Sequence, residues 1–187
     1  MCIRDFVMRF VISGVCAAIS LASLGAATLS RLSLDDMINQ STSIVHVKVT
    51  GSYAAFRGPV VYTYYQAQVM ERWKGANQAT VEIALPGGTA NGYQQSFPGT
   101  PQLIAGTEYV LFLWTSKTGL TQIIGLTQGL FNLATDASGV MTALRPVTTN
   151  SLLDPKTGQM VKDQAIQMQL SDLTSHIAST LGKLASK

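Results

Sequence analysis

The sequence predicts a mainly β domain, an antiparallel OB-like barrel or small sandwich flanked by a short N-terminal helix and an amphipathic C-terminal helix. Three observations predict it. Val45, Val47 and Val49 alternate with His46, Lys48 and Thr50, the period-two pattern of a half-buried strand. Val60 to Trp73 is a long run rich in Val, Tyr and Thr, and Tyr109 to Thr115 is apolar on both faces, as in a central strand buried on two sides. Gly, Pro, Asn and Asp punctuate the spaces between such runs, so most neighbours are joined by turns.

The chain opens on a segment of a different kind. Arg4 and Arg9 precede an apolar run from Phe10 to Leu21, and Gly25-Ala26-Ala27 closes it with small residues. Basic residues hold the start inside while the apolar stretch partitions into the bilayer, so residues 1–27 are expected to be a secretory signal peptide, cleaved near Ala27. Ser13, Gly14, Ser20 and Ser23 interrupt the run, which argues against a retained anchor. Ser13 stands where a lipoprotein site before Cys16 needs a Leu-type residue, and no pilin-type Gly-Phe leader is present. Met8 offers a second start that leaves the same mature chain. Both cysteines, Cys2 and Cys16, fall in this segment, so the expected exported protein carries no thiol and its core has no disulfide to help it.

Ser33-Leu34-Asp35-Asp36 starts the first helix: the Ser33 hydroxyl caps it and the two carboxylates suit its positive end. The Val45 strand follows and runs to the breaker Arg57-Gly58-Pro59. Val60 to Trp73 is next, turned at Lys74-Gly75-Ala76-Asn77, with Thr80 to Leu85 as the return strand and Pro86-Gly87-Gly88 closing it. Thr89 to Gly106 reads as a long loop. After the central run come expected strands at Leu120–Leu126, Gly129–Ala134 and, past the turn Asp136–Gly139, Val140–Leu144. Residues 28–145 are thus the expected β domain, 146–169 a linker, and 170–187 a helix docked through Leu173, Ile177 and Leu181 at helical spacing.

Composition excludes several function classes. Beyond residue 27 the chain holds 11 basic and 9 acidic residues with no Lys/Arg run, so neither a nucleic-acid partner nor a stable membrane span after cleavage is expected. The two histidines, His46 and His176, stand in separate elements without ligand spacing. His46 is expected to face solvent, and neither a metal nor any other cofactor is expected. There is no Gly-x-Ser-x-Gly elbow, no Ser-x-x-Lys and no phosphate-binding glycine loop. Carboxylates are the remaining enzymatic idea: Glu71, Glu82, Glu108 and Asp136 lie near strand ends, and Glu71 would face Glu82 across a hairpin. A hydrolase needs two carboxyl groups in one aromatic-lined cleft.

Aromatics point another way. Tyr62 and Tyr64 share a strand face and read as core. Tyr93 and Phe97 sit on the long loop with Gly87, Gly88, Gly92 and Gly99, and ordering rigid rings against a partner costs little entropy. The segment from Gly87 to Gly106 is therefore the expected binding surface, with Tyr93, Phe97, Gly87 and Gly88 as its candidate residues.

A further pattern runs through the domain: Ser33 to Asp36, Ile44 to Val49, Lys74-Gly75, Pro86-Gly87-Gly88, Gly106-Thr-Glu-Tyr-Val-Leu-Phe-Leu113 and Gly125-Leu-Thr-Gln-Gly-Leu-Phe131. In this order it resembles a loosely defined group of exported bacterial proteins of unknown function. The resemblance covers most of residues 30–145 and implies an OB-fold-type barrel, the architecture of netrin-like domains and tissue inhibitors of metalloproteinases. Those inhibitors chelate their target's zinc with an N-terminal cysteine, which the expected mature chain lacks, so that mechanism does not transfer. The expected function is a non-catalytic binding or assembly module, exported to the periplasm or beyond, acting on another extracytoplasmic protein or on envelope glycan. The enzymatic alternative is a carboxylate-dependent extracytoplasmic hydrolase.

Overall fold

The computed structural model describes residues 28–186. The expected signal segment, with both cysteines and both start methionines, lies outside the described residues. The order of elements is β1 (Thr28–Ser30), α1 (Leu34–Gln40), β2 (Ser43–Arg57), β3 (Val60–Lys74), β4 (Thr80–Pro86), β5 (Gly88–Ala90) and β6 (Tyr93–Gln95). Then follow β7 (Glu108–Thr115), β8 (Thr121–Ile123), β9 (Leu130–Thr135), β10 (Met141–Arg145), β11 (Ser151–Leu153), β12 (Met160–Val161), β13 (Ile166–Gln169) and α2 (Leu170–Ala185). Among the described residues no helix is long and apolar enough to cross a membrane.

Eight strands form the main sheet, in the order β13-β10-β9-β7-β2-β3-β4, with β8 pairing the end of β7 that β9 leaves free. Every pairing in it is antiparallel. The two-sided apolar run at Tyr109–Thr115 is central in the sheet: Tyr109, Val110, Leu111, Phe112 and Leu113 are all buried, whereas Trp114 and Thr115 at its end are exposed. Its alternate residues enter two separate cores. Tyr109, Leu111 and Leu113 join Val45, Val47 and Val49 of β2, Tyr65 and Ala67 of β3, Ile83 and Leu85 of β4, and Ile123 of β8. This inner cluster fills the concave side, where the sheet curls so that β4 and β8 come side by side. No hydrogen-bonded ladder joins those two strands, so the sheet approaches a barrel without a closing seam.

Val110 and Phe112 point the other way, to a layer made by the helices. There they meet Ile44, Phe131, Ala143, Met37 and Ile38 of α1, and Leu173 and Ile177 of α2. The Phe112 and Phe131 rings lie 5.6 Å apart at the centre of this outer core. Helix α1 starts on a capping box: Asp36 N donates to Ser33 Oγ at 3.1 Å, and Ser33 N donates to Asp36 Oδ2 at 3.0 Å. Lys74 Nζ donates to the carbonyls of Ile38 and Asn39 at its C-terminal end, where a cation meets the negative pole of the helix. Desolvation holds the Lys74 pKa below its ordinary value.

Residues 146–169 are not a linker. The segment carries β11, β12 and β13; β13 extends the main sheet beyond β10, and β11 pairs β1 in parallel. Its hub is Arg145, whose guanidinium meets Asp163 bidentately at 2.8 and 2.9 Å and also donates to the Gln164 carbonyl. Both side chains are 5 % exposed. Burial pushes the Asp163 carboxyl up, but hydrogen bonds from Arg145 and from the Thr148 and Gln164 N–H groups outweigh it and leave the pKa below the ordinary range. Composition marks Pro, Asn and Gly as loop formers without showing that a buried ion pair ties the loop down.

The expected strand Leu120–Leu126 is also shorter, at Thr121–Ile123. Gly125 and Leu126 both adopt positive φ (59° and 56°), which ends the strand in a turn. Gln128, 1 % exposed, accepts from Leu32 N at 2.8 Å and donates to the Ser30 carbonyl at 3.0 Å, pinning the N-terminal segment to that turn.

Candidate functional site

The candidate site begins where β4 ends. Pro86 closes that strand, and Gly87 and Gly88 follow with φ of 105° and 130°, conformations that side-chain-bearing residues rarely adopt. Space is equally restrictive: a Cβ on Gly88 would lie 2.5 Å from Thr63 Oγ1. That hydroxyl donates to the Gly87 carbonyl at 2.8 Å, and Gly87 N donates to Val61 O at 2.8 Å, so the turn is stitched to β3.

The chain then forms a small hairpin, β5–β6, which makes the first part of the expected loop regular structure. Asn91 and Gly92 have φ of 50° and 80°, the left-handed pair that a tight two-residue hairpin turn requires. Gln95 anchors it: its Oε1 accepts from Val61 N at 2.7 Å, and its Nε2 donates to the Pro59 carbonyl at 3.0 Å. The side-chain amide thereby takes the place of a strand neighbour at the start of β3.

Between this hairpin and β3–β4 lies a cleft of about 280 Å³. Gly87, Gly88 and Phe97 line it, joined by Gln94, Gln95 and Gln102. Threonines 63, 89 and 100 and Ser96 complete its polar wall, and Tyr65, Leu85, Pro86 and Pro101 are the remaining lining residues. Among the described residues no charged side chain lines it. Among the described residues the side chains of Gln94, Gln102, Thr89 and Ser96 make no hydrogen bond within the protein, and Thr100 Oγ1 is buried without a partner. Phe97 is 39 % exposed at the rim. Tyr93 is 68 % exposed outside the cleft, its ring 6.0 Å from that of Phe56 in an edge contact. Three of the four expected residues therefore share one cleft, and Tyr93 stands beside it on the hairpin. The glutamines were missed, because a Gln in a polar loop carries no sequence signal of its own.

The other aromatics part company with expectation. Tyr62 and Tyr64 are not core; the buried positions of β3 are Val61, Tyr65 and Ala67. Tyr62 and Tyr64 lie half-buried on the opposite face, where Tyr53 stacks on Tyr64 with centroids 5.1 Å apart and planes 13° off parallel.

The carboxylates stand apart from one another. Glu71 lies opposite His46 in β2 and Glu82 opposite Gln66 in β3, so the two do not face each other across the hairpin. Glu71 accepts from Trp73 Nε1 at 2.9 Å, and Glu82 accepts from the Tyr53 hydroxyl at 3.0 Å. That hydrogen bond holds the Tyr53 phenol above its usual pKa. Asp136 is spent on its own turn, accepting from Ser138 N, Ser138 Oγ and Val140 N, which lowers its pKa.

His46 does not face water. It is 8 % exposed, with Nε2 2.9 Å from Glu108 Oε2, and Lys48 Nζ lies 3.9 Å from the other carboxylate oxygen. Register shifts in β2 flank it, and its face of the sheet is the one that carries the second core, so His46 is covered while Lys48 and Thr50 stay exposed. His176 instead bridges the helices, with Nε2 2.7 Å from Asp35 Oδ1. Among the described residues no three His, Cys, Asp or Glu side chains converge as metal ligands.

No protein-family model matches the chain, and no curated protein matches it significantly in sequence. The geometry of its own residues carries the functional reading.

Proposed function

We propose that this chain is an exported, non-catalytic binding module of the cell envelope or extracellular space, and that residues 87–106 form its contact surface. The export signal read in residues 1–27 supports that location, and its partner is another extracytoplasmic protein or an envelope glycan. The curled β2-β3-β4-β8-β7 arrangement is read as a partly open OB-like barrel, with the β5–β6 hairpin at one end. One observation carries the binding reading: a cleft with unspent hydrogen-bonding side chains, rimmed by Phe97 and flanked by the exposed Tyr93 ring. A fold that needed these groups for its own stability would have buried or paired them. The four carboxylates weighed for hydrolysis have separate partners, which favours binding over the hydrolase reading.

The test is a Tyr93→Ala, Phe97→Ala double variant against wild type, each used to capture material from its own envelope fraction. The expected outcome is loss of the captured partner with an unchanged melting temperature. Unchanged capture, or a large loss of stability, counts against the proposal; the second result would make the two rings a plug for the barrel end.

A further inference from the structure

We infer that the cleft beside the β5–β6 hairpin is a subsite for an uncharged, hydroxyl-rich ligand, a neutral oligosaccharide. The inference rests on the binding role of the 87–106 segment and names the chemistry that segment selects. A cleft without any charged lining residue offers nothing to a phosphate, a carboxylated sugar or an ammonium group, each of which would lose its hydration there uncompensated. It offers instead the carboxamides of Gln94 and Gln102 and the hydroxyls of Thr89 and Ser96, all uncommitted among the described residues. A primary amide donates and accepts at once, as does a hydroxyl, so these groups match the paired donor and acceptor roles of vicinal sugar hydroxyls. Phe97 adds an apolar edge on which the C–H face of a sugar ring packs.

Size and rigidity agree with that class. The volume of about 280 Å³ lies just below the range of ligand sites, which run from about 300 to 1,000 Å³, and suits one sugar unit of a longer chain better than a folded partner's loop. The walls are preformed. Gln95 spends its amide on Val61 N and Pro59 O, and Thr63 spends its hydroxyl on the Gly87 carbonyl, so the hairpin is held in place before any ligand arrives.

The experiment is an NMR amide-shift titration of the purified full chain with two uncharged probes, maltotetraose and chitotetraose, a tetragalacturonate as the anionic control and a neutral tetrapeptide as the competing class. At least one uncharged sugar is expected to shift residues 87–102 selectively, with an affinity near millimolar (about 1 mM) that salt leaves unchanged. Gln94→Ala and Gln102→Ala, which break no internal hydrogen bond, should each weaken it about 3–10-fold with the remaining spectrum intact. The inference is overturned by any of three results: no selective shift with either sugar at about ten times that concentration, shifts that both variants leave untouched, or tetragalacturonate or the peptide binding in preference. Should sugar binding fail while Tyr93 and Phe97 still capture an envelope protein, the binding role stands and this subsite does not.

Discussion

The layer beneath the helices and the end of the molecule that carries the cleft are built on opposite terms. Around Phe112 and Phe131, β2, β7, β9, β10, α1 and α2 bring together apolar side chains that are fully buried, among them Met37, Ile38, Ile44, Leu173 and Ile177. Around Gly87 and Gly88 the lining is mostly amide and hydroxyl, several of those groups are unspent, and the Tyr93 and Phe97 rings lie exposed. The first region uses every surface it has for cohesion. The second is held by a few directed hydrogen bonds and leaves its remaining capacity for something outside the fold. Stability and recognition are separated along the same sheet, with β2 and β3 running between them.

The sharpest way to break that comparison is at Phe131. Phe131→Ala removes a fully buried ring packed on Phe112 and is expected to cost about 3–5 kcal/mol, read as a lower midpoint in denaturant unfolding. A loss below about 1 kcal/mol would show the helical layer to be loosely docked and the contrast false. A smaller effect is expected at the cleft. Gly88→Ala places a Cβ 2.5 Å from Thr63 Oγ1 at a φ of 130°, so the Thr63 hydrogen bond to Gly87 must shift. The expected cost is about 1–3 kcal/mol, with amide shifts confined to the β3–β6 region. Shifts spreading into α1 and α2 would join the two regions that the comparison keeps apart.

The smallest effect belongs to the exposed pair between the helices. His176 and Thr180 both donate to Asp35, and the His176 hydrogen bond, opposed by slight desolvation, lowers the Asp35 pKa. A carboxyl whose folded pKa lies below its unfolded one adds stability above the ordinary carboxylate range and loses it as pH falls through the folded value. Asp35→Asn is therefore expected to cost about 0.5 kcal/mol or less near neutral pH, reduced by solvent screening, and nothing in strong acid. A melting difference that persisted in strong acid would assign the effect to packing instead of charge.

Much of the β architecture was legible in short-range pattern. The alternation at Val45–Val49, the doubly apolar run at Tyr109–Leu113, the Ser33 cap and the Asp136 turn all declare themselves within a few residues, because strand period, capping and turn chemistry are local. What failed was assignment of faces. His46 reads as polar and therefore wet, yet its side of the sheet carries a second core. Tyr62 and Tyr64 read as core by size, yet Val61, Tyr65 and Ala67 occupy the interior. The candidate cleft was half legible. Gly87, Gly88 and Phe97 could be picked out by conformation and type, whereas Gln94, Gln95 and Gln102 acquire meaning only beside Val61, Pro59 and Thr63.

The sequence by itself determined that the chain is mainly β, where several of its turns and its helix starts lie, and that no thiol is available beyond residue 27. Only the tertiary structure decided that the sheet curls until β4 meets β8, that Arg145 clasps Asp163 to bind residues 146–169 into the fold, and that three glutamines gather at one cleft. The physical reason is range. Propensity, periodicity and capping act between residues a few positions apart, whereas burial and the pairing of polar groups depend on which distant segments the curled sheet brings into contact.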